Sequence, residues 1–229
     1  MPLSQPYNQT QFDNYNGGET VAAGFFASRP NIVDWILVDV RKNTDGSPAN
    51  TAFATSSGRK VGFLLNNGTI VGMDGITPLS FDITKQGAGF LVVKHRNHLA
   101  VMSNLTPSSA TGSYSNDFTI AAGVYDNPAF PADPMQVLPS STKLGMWAGN
   151  SNRDGFVNTN DMNLIRSNIV GSVTGYAFGD VNMDGVINTG DLNIARLAIN
   201  GSAQTHSGRM TSAGILRTNR EPQSHVPSN

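Results

Sequence analysis

The chain has 229 residues, of which 38% are hydrophobic and only 14% charged, with a formal net charge of −1. That balance excludes a nucleic-acid footprint and a polybasic membrane patch. The absence of cysteine excludes disulfides, thiolate metal sites and cysteine nucleophiles.

Residues 1–28 are polar and loosely patterned, and read as an extended N-terminal arm. NIVDWILVDVR (31–41) is β-branched and apolar for long enough to be a buried strand. KVGFLLNNGTIVGM sets two apolar runs around Asn67-Gly68, whose preference for positive φ suits a tight hairpin turn. LSFDI, GFLVVKHRNHLAVMS and SNDFTIAAGVY predict further strands, so residues 29–142 read as an antiparallel β-sandwich domain. NPAFPADPMQVLPSS is proline-rich and reads as an extended connector. Residues 143–203 form a second module, and 204–229 an extended tail. No apolar run approaches the ~18 residues of a membrane span, and MPLSQPYNQT is no signal peptide.

The second module contains an internal repeat with an offset of 30 residues, from Asn150–Val170 to Asp180–Asn200. The identities are Asn152/Asn182, Asp154/Asp184, Gly155/Gly185, Asn158/Asn188, Thr159/Thr189, Asp161/Asp191, Asn163/Asn193, Arg166/Arg196 and Ile169/Ile199. Each copy carries the oxygen pattern of a twelve-residue calcium loop, which supplies ligands at its positions 1, 3, 5, 7, 9 and 12. In the first copy these are Asn150, Asn152, Asp154, Phe156 (through its carbonyl), Asn158 and Asp161. In the second they are Asp180, Asn182, Asp184, Val186 (through its carbonyl), Asn188 and Asp191. Gly155 and Gly185 take the sixth position, where the chain bends sharply, and Val157 and Ile187 the eighth, where paired loops exchange a short β contact. Each loop runs into a helix that Asn158 or Asn188 can cap, with an acid in its first turn. The apolar stripes are Leu164, Ile165 and Ile169, then Ile194, Leu197 and Ala198. No helix precedes either loop, so the units are half EF-hands. Two Ca2+ sites are expected. The second is expected to be tighter, with three carboxylates against two and no counterpart of Arg153.

Duplicated loop–helix units with Asp at position 12 resemble a type I dockerin. The resemblance implies docking to a cohesin-like partner through Thr159, Asn160, Arg166 and Ser167, then Thr189, Gly190, Arg196 and Leu197. Asn150 departs from the family's Asp. Further upstream, PLSQPYN, ETVAAGFF, VDWILVDVR, VGFLLNNGTIVGMDG, VVKHRNHLAVMS and GMWAGNSNRDG are similar to the C-terminal region of large bacterial secreted surface proteins, some labelled haemagglutinins or adhesins. That likeness implies an extracellular or cell-surface place in a bacterium. Carboxamide-bearing loops suit the roughly millimolar calcium found there, so an exported chain is expected, its leader either removed or never part of this sequence.

Other clusters carry less. His95 and His98, three apart on an expected strand, would face opposite sides, which leaves a hydrogen-bonded strand end rather than a shared site. The chain has only Glu19 and Glu221 as glutamates, and no GxSxG, HExxH or phosphate loop. A glycosidase pair would need Asp34, Asp39, Asp74 or Asp82, whose surroundings read as turns and strand edges. The expectation is no enzyme. Trp147, Tyr114, Tyr125 and Tyr176 could stack on glycans, while Trp35 reads as core. Asn8, Asn67, Asn104 and Asn200 head N-x-Ser/Thr triplets, and TPSSATGSYS could carry O-linked sugar, so a glycoprotein is conceivable.

The sequence therefore reads as mainly β, an antiparallel sandwich followed by a dockerin-like module of two calcium loop–helix units. A sensor would expose a Met-rich groove, and only Met162 and Met183 lie in the repeats, so calcium reads as a structural staple. Three roles compete: a self-associating subunit of a surface layer or filament, a cohesin-docking module, and a glycan-binding adhesin. An arm that donates a strand to a neighbour favours the first.

Overall fold

A computed structural model of the chain describes residues 1–9, 12, 15–42, 55–81, 88–106, 113–126 and 133–201. It is mostly β, with one five-stranded antiparallel sheet and two helices. The strands are β1 (Ile32–Lys42), β2 (Thr55–Leu65), β3 (Ile70–Val71), β4 (Phe90–Lys94) and β5 (Val101–Met102), in the order β3-β2-β1-β4-β5. A separate ribbon pairs β6 (Gln136–Val137) with β7 (Leu144–Gly145). The helices are α1 (Thr159–Val170) and α2 (Thr189–Asn200). The tail at 204–229 lies outside the described residues, and no helix among them is long and apolar enough to cross a membrane.

The central strand β1 is apolar on both faces because both are covered. Trp35 and Leu37 lie opposite Phe63 and Val61 of β2 and face the arm, whose Tyr7 and Phe12 complete that core. Ile36 and Val38 face the other way, with Val93 and Val101, against Val124 and Met135. Among the described residues this second layer is coil and the short ribbon β6–β7, whose Leu144 packs into it.

Two strand expectations change, along with the connector and the hairpin turn. SNDFTIAAGVY forms no strand. Asp117 Oδ1 accepts from Thr119 N and Oγ1 at 2.8 and 2.6 Å, and the chain then makes a 3-10 turn at Ala121–Gly123. Local side-chain bonds of this kind compete with a ladder. LSFDI is unpaired through Phe81, and its last two residues lie outside the described set. The proline-rich connector is not merely a spacer, since β6 lies within it. In the hairpin, positive φ falls on Gly68 (+85°) alone of the Asn67-Gly68 pair. Gly68 N donates to Leu65 O at 2.9 Å and Leu65 N to Thr69 O at 2.9 Å. This is a three-residue loop with a left-handed glycine rather than a two-residue turn.

The arm lies on its own sheet. Ser4 bridges Thr20, Tyr7 OH donates to Trp35 O at 2.8 Å, and Trp35 Nε1 donates to Pro2 O at 3.0 Å. Nor does the expected boundary near residue 142 separate two cores. Leu99, from the chain between β4 and β5, is buried among Val157, Ile165, Val181, Ile187, Ala195 and Ala198 of the helical units. The link is short and local: Leu99 N donates to Trp147 O at 2.8 Å and Gly149 N to Asn97 O at 3.1 Å.

Gly149 is required at that link. Its φ is +110°, and a Cβ there would sit 2.9 Å from Ala195 Cα and 3.1 Å from Val157 Cγ1. Strain and overpacking together predict that Gly149→Ala costs about 2–4 kcal/mol. Urea melts measure it. Gly175→Ala, at φ +79° but in open space, isolates the backbone part and should cost less.

Candidate metal centres

The two loops repeat in conformation as well as sequence. Position 4 is left-handed in both (Arg153 and Met183, each φ 62°), as is position 6 (Gly155, φ 87°; Gly185, φ 85°). At position 9, Asn158 and Asn188 cap the helices by accepting from Asn160 N and Gly190 N. At position 12, Asp161 and Asp191 return the bond to the cap residue's N–H at 2.8 Å each. Both acids are 0% exposed. The capping and the absence of a preceding helix match the sequence pattern. The apolar stripe differs: Ala195 and Ala198 are buried on α2, while Leu197 is 67% exposed. The isolated bridge beside the second loop joins Thr174 to Val186, whereas Val157 and Ile187 are buried in the shared core.

The ligand atoms are held by the loops' own backbone. Asp154 N donates to Asn152 Oδ1 at 3.0 Å and Phe156 N to Asp154 Oδ1 at 3.0 Å. Asp161 Oδ1 accepts from Asn152 N at 3.0 Å. In the second loop Asp180 accepts from Asp184 N and Gly185 N at 3.1 Å each, and Asp184 from Val186 N at 2.8 Å. Asp191 Oδ1 accepts from Val181 N and Asn182 N at 2.9 and 3.2 Å. Each of these carboxylate oxygens except Asp191 Oδ1, which accepts twice, keeps a further lone pair. Among the described residues, no three His, Cys, Asp or Glu side chains close on a common point. Carboxamides and a carbonyl make up four of the six expected ligands in the first loop and three of the six in the second.

Three buried atoms of the first loop, Asn150 Oδ1, Ser151 Oγ and Arg153 Nε, have no hydrogen-bond partner, and the first of them, at position 1, is an expected ligand. An orphaned buried acceptor costs roughly 1–3 kcal/mol, and a cation in the loop would satisfy it. Burial pushes the carboxyls of Asp161 and Asp180 up. Asp154 adds to this at Asp161; at Asp180, Asp191 and Asp184 add while Arg96 opposes. Such sites favour a bound cation. The residues therefore fit a hard, oxygen-seeking ion.

The Arg153 guanidinium is engaged outside the loop. It lies 3.6 Å from the centre of the Phe178 ring, and it donates to Gln9 Oε1 of the arm. The cation near a ligand is instead Arg96, whose NH2 is 3.8 Å from Asp180 Oδ2.

Arg96 belongs to a buried polar node that strand parity hides. β4 ends at Lys94, so His95 and His98 leave the sheet and meet, Nδ1 to Nδ1, at 2.8 Å. His95 Nε2 and Arg96 Nε both reach Asp34 Oδ2 at 3.0 Å, and Tyr176 OH donates to Asp34 Oδ1 at 2.6 Å. Burial pushes Asp34 up, but His95, Arg96 and Tyr176 outweigh it and hold the carboxyl at about 2. Burial lowers His98 well below its ordinary range. Asp34 is thus neither turn nor strand edge but the node's centre.

The remaining candidates are placed plainly. Trp35 is core, Tyr125 packs on Phe90, Tyr176 serves the node and Trp147 Nε1 donates to Asp133 O. Asp39 pairs with Arg41, and Asp74 caps an exposed turn at Ile76 and Thr77. All four asparagines of the glycosylation triplets are exposed, and the amides of Asn8 and Asn104 bond backbone carbonyls. Asp82 lies outside the described residues. Comparisons of the chain with protein-family models, with curated proteins and with solved structures each find no match.

Proposed function

We propose that the chain is a non-catalytic, extracellular, calcium-binding structural protein of a bacterial surface, in which a sandwich-like sheet unit is stapled to a dockerin-like module by two Ca2+ ions. The duplicated loop geometry with its orphaned Asn150 Oδ1 is the observation that carries this reading. The second site remains the tighter expectation, on three carboxylates against two. Arg96 offsets part of that advantage, while Arg153 still places a positive charge in the first loop's sequence.

The experiment is a thermal melt in calcium and in chelator, with calorimetric titration for stoichiometry. At about 100 times Kd each site contributes about 2.7 kcal/mol. For a chain of this size that raises Tm by roughly 5–10 °C per site. Identical melts and no binding heat would overturn the reading.

A second reading, docking to a cohesin-like partner, draws support from the exposed helix faces. Thr159, Asn160, Arg166, Ser167, Thr189, Arg196 and Leu197 all face solvent, and a shallow hollow is lined by Asn193, Arg196, Leu197 and Asn200. Filament formation by strand donation loses its main support, because the arm is occupied on its own sheet. Self-association would need surfaces other than the arm, and glycan stacking would fall to the half-buried Trp147, Tyr114, Tyr125 and Tyr176.

A further inference from the structure

We infer that Asn97 and Arg96 of the sheet unit are positioning residues for the calcium loops, and that occupancy of the second loop is transmitted through them to the five-stranded sheet. The inference rests on the calcium reading above and adds to it a direction of control.

Asn97 is 0% exposed and touches the start of both loops. Its carbonyl accepts from Gly149 N at 3.1 Å, one residue before the first ligand of the first loop. Its Nδ2 donates to the carbonyl of Asp180, the first ligand of the second, at 2.5 Å. Its Oδ1 lies 2.8 Å from His98 Nδ1, so the side chain has both ends tied. One residue outside the repeat therefore sets where both ligand runs begin.

Arg96 adds the charge connection. Its planar fork bonds Asp34 Oδ2 through Nε and Ala177 O through NH1, which leaves NH2 aimed at Asp180 Oδ2. The guanidinium also lies 4.2 Å from the centre of the Tyr176 ring, which fixes its plane. A rigid fork shares its attraction among fixed partners. Negative charge engaged by a cation in the loop is charge withdrawn from Arg96, which then belongs more fully to Asp34. Asp34 is one residue from Trp35 in β1, and its Oδ1 accepts from Trp35 N at 2.7 Å. The two loops differ here. Ligand side chains of the first loop bond within the loop, and its side-chain reach toward the arm is made by Arg153, which is no ligand. In the second loop the ligand Asp180 itself faces the sheet unit. Coupling of this sort is reciprocal: whatever the ion does for the sheet, an intact sheet does for the ion's affinity.

The test is hydrogen exchange on the full chain, in saturating calcium and in chelator, read on peptides covering β1 and β4 and on peptides covering α1 and α2. In the natural chain, calcium should slow exchange of the sheet amides by about 10-fold or more. Asp184→Ala, an exposed second-loop ligand that bonds Asp180 through its N–H and not through the deleted side chain, should abolish most of that slowing, and Asp154→Ala should keep most of it. Asn97→Ala should shrink the calcium-induced increment itself and weaken calcium binding. A residue with a merely structural role would lower protection equally with and without calcium and leave the increment unchanged. If Asn97→Ala fails to fold, the Asp184 and Asp154 variants still decide. Slowing confined to the helices would overturn the coupling while leaving the calcium reading intact. Equal losses in the two loop variants would overturn the assignment to the second loop. No slowing anywhere, with no binding heat, would remove the calcium reading itself.

Discussion

Asp34→Ala is expected to cost about 3–5 kcal/mol, the usual price of leaving a buried charge without its partner. Asp34 is 1% exposed, and its loss would leave Arg96 (2% exposed) with Ala177 O and the longer contact to Asp180, and the Tyr176 hydroxyl without its acceptor. Asp34→Asn keeps an acceptor and loses only the charge, so it should cost less. The pH dependence has a definite sign. The folded carboxyl titrates at about 2, below its ordinary 3.8. Its contribution is therefore complete above about pH 4 and is lost as pH falls through about 2. At about 1.4 kcal/mol per pKa unit this amounts to roughly 2 kcal/mol. Denaturant midpoints of the natural chain and Asp34→Asn, followed from about pH 6 down to about 2, should converge at the acid end. Parallel curves would show that Asp34 is not the group that responds.

Removing residues 1–18 is expected to unfold the sheet unit. The arm supplies Tyr7 (0% exposed) and Phe12 (3% exposed), packed edge to face at 4.8 Å over Trp35 and Phe63. Large aromatic truncations in a core cost about 3–5 kcal/mol each. Two of them approach the whole stability of a typical domain, roughly 5–15 kcal/mol. Trp35 Nε1 and its carbonyl would also lose Pro2 O and Tyr7 OH. Near-ultraviolet circular dichroism of the shortened chain should lose the Trp35 share of the tryptophan signal, leaving at most that of Trp147 on the helical units. A cooperative melt within a few degrees of the full chain would mean that the arm is an accessory.

The legible parts of the chain were those with short-range patterns. Residues 31–41 had to be a buried strand because both parities are apolar, and β1 is that strand. Loop spacing, glycine placement and helix caps are local geometry, so the repeat was readable position by position. What escaped was set by distant partners. Tyr7 and Phe12 show no periodicity because the surface they fit is Trp35 and Phe63, not a neighbour in sequence. His95 and His98 followed strand parity only while the strand was assumed to continue, and β4 ends at Lys94 because residues 97–99 pair with 147–149. Leu99 resembled any strand leucine, and only the helix pair's small buried residues, Ala195 and Ala198, show where it fits. Leu197 was assigned to the apolar stripe by spacing, but the core needs alanines on α2, where Gly149 comes close to Ala195.

The polar node also sets an order in time. Asp34 lies 142 positions before the hydroxyl of Tyr176 that satisfies it, and Gln9 waits 144 positions for Arg153. During synthesis, the chain through β5 has neither partner and carries a carboxylate and an arginine in a half-built interior. Leu99 meanwhile has no pocket, since every other buried member of its cluster lies beyond it. Closing contacts so distant along the chain makes folding slow and late. The first half of this protein must wait, incomplete, for the second.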